Sequence, residues 1–348
     1  MWRRLAVAFL LVGCASDTRV VAVEQEIFCE EPATLVLTAN NGSSLEAIAR
    51  AERGWGVWFS NGREQQYALV SANFTIEAGP FRVGETGTFE NLEASRTEGG
   101  FFLTFGRRVD EQARGVWGIV EPSEGPLSGE RFIADEGINF PLRGAHQQTS
   151  TSTRYVIYRS NGMHTIVEVG EGREVVRWVG ESNRRIVALR QWNDRLWLLH
   201  ARSGTFGVSR FVIAANGAVD YDGEALEPTD AELADLEVAN DGVALWTIRG
   251  SVLDAQNLAG AVITPRTLTL REVPLRFDAD LDARGNTAVA VADDRGLLMF
   301  FADEEPQPVP VTDAVQSVMV RSFETGAVIA VRQPSPFRVS LFRACRRL

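Results

Sequence analysis

The chain has 348 residues, 45% of them hydrophobic and 23% charged, with a formal net charge of −11. This composition excludes a disordered or collagenous chain, and the acidic balance argues against a protein that tracks a nucleic-acid backbone. There is no lysine, so all 35 basic residues are arginine, which removes lysine Schiff-base chemistry and the phosphate-cradling lysine of a P-loop.

Met1-Trp-Arg-Arg4 is basic and Leu5–Val12 is an apolar run too short to remain as a membrane-spanning helix. The run ends in Leu11-Val12-Gly13-Cys14. That order resembles the lipobox of bacterial lipoproteins; the alternative is an ordinary secretory signal with an incidental cysteine. The resemblance implies a signal peptide over residues 1–13, lipid on Cys14 as the mature N-terminus, and a short polar tether over residues 14–19. Several acyl chains hold a protein at a bilayer where one alone is marginal. Ala15 in place of Asp after the cysteine favours the outer membrane. Loss of Arg3 and Arg4 moves the net charge from −11 to −13. Such a protein suits a basic peptide, a cation or a basic protein patch better than nucleic acid or an anionic membrane surface.

Val20–Phe28 reads as a strand, and so does Thr34–Thr38. A unit of turn residue, apolar run and turn residue then recurs: Gly54–Gly62, Gly100–Gly106, Arg154–Gly162, Asp194–His200, Gly242–Ile248, Asn286–Ala292 and Gly326–Val331. The spacing of about 40–50 residues is the period of a propeller blade. It predicts an all-β fold over residues 20–348: one β-propeller of seven blades, each with four antiparallel strands. Leu45-Glu-Ala, Leu92-Glu-Ala, Leu236-Glu-Val and Leu281-Asp-Ala precede four of the units and read as innermost strands. The apolar units read as second strands, buried between neighbouring blades. Further strands are expected over Gln66–Ser71, Gly115–Val120, Thr165–Val169, Glu174–Val179, Phe206–Ala214, Gly260–Thr264, Thr267–Val273, Gly296–Phe301 and Arg338–Ala344. Pro122–Arg143 reads as a surface loop inserted in the second blade, and Glu227–Asp235 as a helical turn after a proline.

The last blade has three C-terminal strands and lacks a fourth. Val20–Phe28 is expected to supply it beside Arg338–Ala344, which places Cys29 and Cys345 on adjacent strands as a disulfide in an exported protein.

His146, His164 and His200 lack the spacing of a zinc motif, and no hydrolase elbow or dinucleotide fingerprint occurs. The carboxylates Glu46, Glu93, Glu237 and Asp280 share the inner-strand pattern. Converging on a central channel, they would bind calcium or a basic ligand, or act as acid and base in glycoside cleavage; otherwise they are solvated channel residues. Asp278–Asp282 and Asp293-Asp294 resemble calcium loops only loosely, the first lacking the Gly and terminal Glu of an EF-hand. Trp58, Trp197 and Trp246 fall inside the apolar units and read as core rather than as a sugar platform.

Over most of residues 20–348 the architecture resembles bacterial envelope β-propeller lipoproteins, without WD40 or Kelch signatures. The resemblance implies a rigid, non-catalytic binding or scaffold platform with an envelope protein or peptide as partner and no resident cofactor. The alternative is a propeller hydrolase or lyase that acts on envelope carbohydrate through the channel carboxylates.

Overall fold

The computed structural model describes residues 31–346, apart from residues 53, 86–88, 98–99, 110–111, 121–129, 134–137, 147–152, 171–172, 283, 302–303, 312–313 and 335–336. Among the described residues there are 28 strands and no helix.

The chain opens with β1 (Ala33–Thr38). The first blade is β2 (Ser43–Arg50), β3 (Gly54–Asn61), β4 (Glu64–Ser71) and β5 (Ile76–Glu85). The second is β6 (Glu90–Thr97), β7 (Gly100–Val109), β8 (Gln112–Val120) and β9 (Arg131–Phe132). The third is β10 (Ile138–His146), β11 (Arg154–Ser160), β12 (Met163–Gly170) and β13 (Arg173–Glu181). The fourth is β14 (Arg185–Trp192), β15 (Arg195–Arg202), β16 (Thr205–Ile213) and β17 (Val219–Asp230). The fifth is β18 (Leu233–Ala239), β19 (Gly242–Arg249), β20 (Val252–Gly260) and β21 (Arg266–Thr269). The sixth is β22 (Arg276–Leu281), β23 (Thr287–Asp293), β24 (Gly296–Phe301) and β25 (Gln307–Val309). The seventh combines β26 (Ser317–Phe323), β27 (Gly326–Pro334) and β28 (Phe337–Cys345) with β1, in the order β1-β28-β27-β26. This is a seven-bladed β-propeller with four antiparallel strands in each blade.

All seven apolar units are second strands, as their patterning predicts. The cause lies in where the core sits. Seven apolar clusters occur, one in each seam between neighbouring blades, and the seam between the seventh and first blades has its own. A second strand feeds two seams at once, because successive side chains point to opposite faces. Trp55, Val57 and Phe59 of β3 enter the seam with the seventh blade, while Trp58 enters the seam with the second. There Trp58 meets Phe101 edge-on, with ring centroids 5.1 Å apart. Gly56 permits this approach: a Cβ on it would lie 2.6 Å from the Phe101 ring.

Four expectations need correction. The strand beside β28 is Ala33–Thr38, whose register runs from Ala33↔Arg343 to Thr38↔Val339 with one bulge. Val20–Phe28, expected there, lies outside the described residues, as do Cys14 and Cys29. Pro122–Arg143 is not one surface loop: Arg131–Phe132 is the outermost strand of the second blade, and Ile138 onward is the innermost strand of the third. Its Pro141 masks the strand in the sequence, but it sits in an irregular stretch between Asn139 and Arg143 of an edge strand, where no ladder N–H is lost. Glu227–Asp235 forms no helical turn. Its first half extends β17, an outermost strand whose free edge tolerates Pro228, and its second half starts β18. In the fifth blade the third strand is Val252–Gly260, and Gly260–Thr264 follows it as connection apart from Gly260 itself. That strand carries Asp254, Gln256 and Asn257 and lacks the expected apolar run.

Candidate functional site: the charged axis

The innermost strand of each blade is a sheet edge, with a row of backbone N–H and C=O groups that its own blade leaves unpaired. Charged side chains of neighbouring blades satisfy part of that row. Asp235 of β18 accepts from Ala279 N of β22 at 3.0 Å. Asp278 and Asp280 of β22 accept from Val320 N and Ser322 N of β26 at 2.6 and 2.7 Å. Glu93 of β6 accepts from Gly144 N of β10 at 3.1 Å. Arginine serves the carbonyls in the same way. Arg143 of β10 donates through Nε to Val187 O of β14 at 2.7 Å. The carboxylates thus cap N–H groups of the next blade, and a guanidinium caps a carbonyl.

The same side chains pair with one another. Arg190 of β14 holds Glu237 of β18 through Nε at 3.2 Å and Nη2 at 2.6 Å. Its Nη1 reaches Glu93 at 2.8 Å. Glu93 belongs to the second blade and Arg190 to the fourth, so their side chains meet across the front of the third. Arg321 of β26 lies 3.5 Å from Asp278 and 3.8 Å from Asp280.

The electrostatics follow from burial among like charges. Burial, with Glu237 adding to it, pushes Asp235 up to about 7. Burial pushes Asp280 up to about 7, opposed by Arg321. Asp278 is raised well above the usual carboxylate range by burial and by Asp235. Burial pulls the Arg190 guanidinium down, but Glu237 and Glu93 outweigh it and hold it well above its ordinary value.

Of the four carboxylates nominated from the sequence, the axis brings Glu93, Glu237 and Asp280 into one network. Glu46 stands apart. It occupies the bulge between Leu45 and Ala47, where it meets the Ser44 hydroxyl, Gln65 and the charge of Arg332. The sequence reading missed Asp235, Arg143, Arg190 and Arg321, and took Asp278 only as part of a loose calcium-loop likeness. Arg143 and Arg190 occupy innermost strands in place of the Glu of the repeated pattern, so a search for repeated acids passes over them. Glu93 and Glu237 share Arg190, and Asp280 lies 3.8 Å from Arg321, so each of these three carboxylates has a cationic neighbour. No group of three or more His, Cys, Asp or Glu among the described residues is arranged to hold a metal ion.

His164 and His200 form contacts of their own away from this network. His146 ends β10. His164 on β12 is buried, its Nε2 2.9 Å from Arg184 O, and burial drives it down to about 4. His200 on β15 is also buried and stands 3.0 Å from Ser209 Oγ and 3.2 Å from Glu224 Oε2. The trio of residue types is that of a hydrolase, but the geometry is not. Serine and carboxylate both approach Nε2, whereas a triad needs the acid on Nδ1. Arg184 Nη1 donates to the same Nε2 at 2.7 Å, and the Ser209 hydroxyl donates to Glu224 at 3.0 Å instead of to the imidazole. Burial and the Arg184 charge lower the His200 pKa, so the ring is a neutral acceptor in a structural network.

No protein-family profile matches the chain, and no curated protein matches it. Among solved structures it is similar to a prolyl endopeptidase described for the role of inter-domain dynamics in catalysis and specificity, at 11% identity and a TM-score of 0.49. The alignment covers 85% of this chain but only 46% of that longer one. It is also similar to BBS1N determined in complex with ARL6DN, at 11% identity and a TM-score of 0.56, over 91% of this chain and 97% of that one. At that identity the second likeness shows the fold alone.

Proposed function

We propose that the protein is a non-catalytic binding or scaffold platform, held at a bacterial envelope membrane by lipid on Cys14, with an envelope protein or peptide as partner. One observation carries the non-catalytic part. Each axial carboxylate that a hydrolase or lyase would need is committed to a backbone N–H of the next blade or to an arginine. A general acid and base must instead reach a substrate proton. The lipid anchor rests on the lipobox resemblance of Leu11–Cys14, and the partner class on the acidic balance of the chain.

The test pairs cross-linking in intact cells with a turnover assay on purified envelope carbohydrate. The expected result is a discrete cross-linked partner in the membrane fraction for the wild type and for Asp280→Asn alike, with no time-dependent release of reducing ends. Release of reducing ends that disappears in Glu237→Gln would replace this reading with the hydrolase.

A further inference from the structure

Between the third and fourth blades, on the face carrying the β14–β15 and β16–β17 turns, lies a groove of about 610 Å³. That volume is in the range of small-molecule sites. Its walls come from both blades: Thr153 and Glu168 with Arg177 on one side, Gln191 with the Asn193-Asp194 turn and the Asn216-Gly217 turn on the other.

Three observations define what it would hold. First, its cation is spent. Arg177 Nε donates to Glu168 Oε2 at 2.7 Å and its Nη2 lies 2.5 Å from the same oxygen, with both side chains largely buried. The guanidinium that lines the groove is therefore neutralised, and Arg195 beside it is shared between Asp222 at 3.2 Å and Asp194 at 4.0 Å. Second, the wall is preformed. Gly217 has φ +81°, and a Cβ there would stand 2.8 Å from Arg177 Nη2 and 3.2 Å from Glu168 Oε2, so the β16–β17 turn rests on the ion pair. Asn216 Oδ1 accepts from Ala218 N at 3.0 Å, which fixes the amide and leaves its Nδ2 as donor. Third, Gln191 is loosely held. Its Nε2 makes a long 3.4 Å bond to Asn193 O, and its Oε1 has no hydrogen-bond partner among the described residues. A small turn of this amide offers a donor and an acceptor to a ligand.

Neutral amides, a hydroxyl and the exposed Asp194 carboxylate, on a wall whose one guanidinium is neutralised, match closely spaced hydroxyl groups. We propose that the groove binds an uncharged saccharide, held by the amides of Gln191 and Asn216 with Thr153 and Asp194 beside them. The inference rests on the binding-protein reading only in expecting no turnover.

The full chain is tested on an array of neutral oligosaccharides, with acidic glycans and basic peptides on the same slide, and then by calorimetry with the strongest neutral binder. The expected result is saturable binding that changes by less than about twofold between about 0.05 and 0.5 M salt, because no net charge is engaged. Binding should fall at least about tenfold, the scale of one lost polar anchor, in the double variant Gln191→Leu with Asn216→Ala and in Gly217→Val. Absence of any neutral ligand, a preference for acidic glycans or basic peptides, or undiminished binding in a double variant of wild-type melting temperature overturns the inference. A glycan recovered intact supports it. A cleaved glycan leaves the groove standing and overturns the non-catalytic reading, so the two fail separately.

Discussion

Arg343 of β28 donates through Nε to the backbone carbonyl of Glu31 at 2.9 Å. The chain two residues past Cys29 is therefore tied to the strand that ends at Cys345. The β1–β28 register, Ala33↔Arg343 and Thr34↔Phe342, carried two residues outward sets residue 31 opposite Cys345.

We therefore expect Cys29 and Cys345 to be oxidised together in the mature protein, as peptide mass mapping under non-reducing conditions would show. Because the closed loop spans nearly the whole ring, the entropic account assigns the bridge about 5 kcal/mol before strain. Cys345→Ser should lower the melting temperature with strand content unchanged, since each seam keeps its apolar cluster. Two free thiols in the mapped protein would refute the bridge.

Arg190 neutralises two carboxylates from different blades, and all three side chains are about four-fifths buried. Arg190→Met leaves Glu93 and Glu237 charged without their partner, and breaking such a pair costs about 3–5 kcal/mol. Denaturant midpoints should show this loss, and adding Glu93→Gln and Glu237→Gln to Arg190→Met should restore much of it. A single variant as stable as the wild type would mean that the axis is solvated and contributes nothing.

The axial acids also predict a pH dependence of defined sign. Asp235 and Asp280 titrate at about 7 in the folded protein, above the ordinary aspartate value. The folded state then holds protons that the unfolded chain has released. Their contribution is fully present below the unfolded pKa of about 3.9 and is lost as pH rises through about 7. His164 acts in the opposite sense. Its folded pKa of about 4 lies below the ordinary 6.5, so its contribution is present above 6.5 and is lost as pH falls toward 4. Melting curves between about pH 4 and 7 should show Asp280→Asn removing stability loss on rising pH and His164→Gln removing stability loss on falling pH. Identical pH profiles for wild type and both variants would sink these assignments.

The anchor is tested separately. Cys14→Ser should abolish metabolic labelling with a fatty acid and move the protein from the membrane to the soluble fraction. Labelling that persists would exclude lipid on Cys14.

The blades were legible because seam burial leaves a one-dimensional trace. A strand such as Thr287–Asp293 is buried at every residue, so it reads as a continuous apolar run. Strands β17 and β20 were less so: most of their positions are exposed or half-buried, and Val252–Gly260 was missed for that reason. Part of the acidic half of the axis, Glu93 and Glu237, was visible in a repeated Leu-Glu pattern, outside which Asp235, Asp278 and Asp280 fall. Its basic half was not, because which carboxylate meets which guanidinium depends on ring geometry that brings residues 93 and 190 together across an intervening blade. The blade 3–4 groove left no trace in the sequence at all; its walls are strand and turn residues from five separate stretches that only folding assembles.

In the seventh blade β1 lies against β28, so the order of synthesis matters. The ribosome makes β1 before β2–β27 and β28 after them. Until β28 emerges, β1 has no ladder to join, and the apolar faces of the first and sixth blades that belong to the two seams of the seventh stay open to solvent. A chain that crosses a membrane end-first would travel in this state. Ring closure then belongs to the far side, where a holding chaperone would find those two faces, and where a stalled or truncated product would aggregate through them.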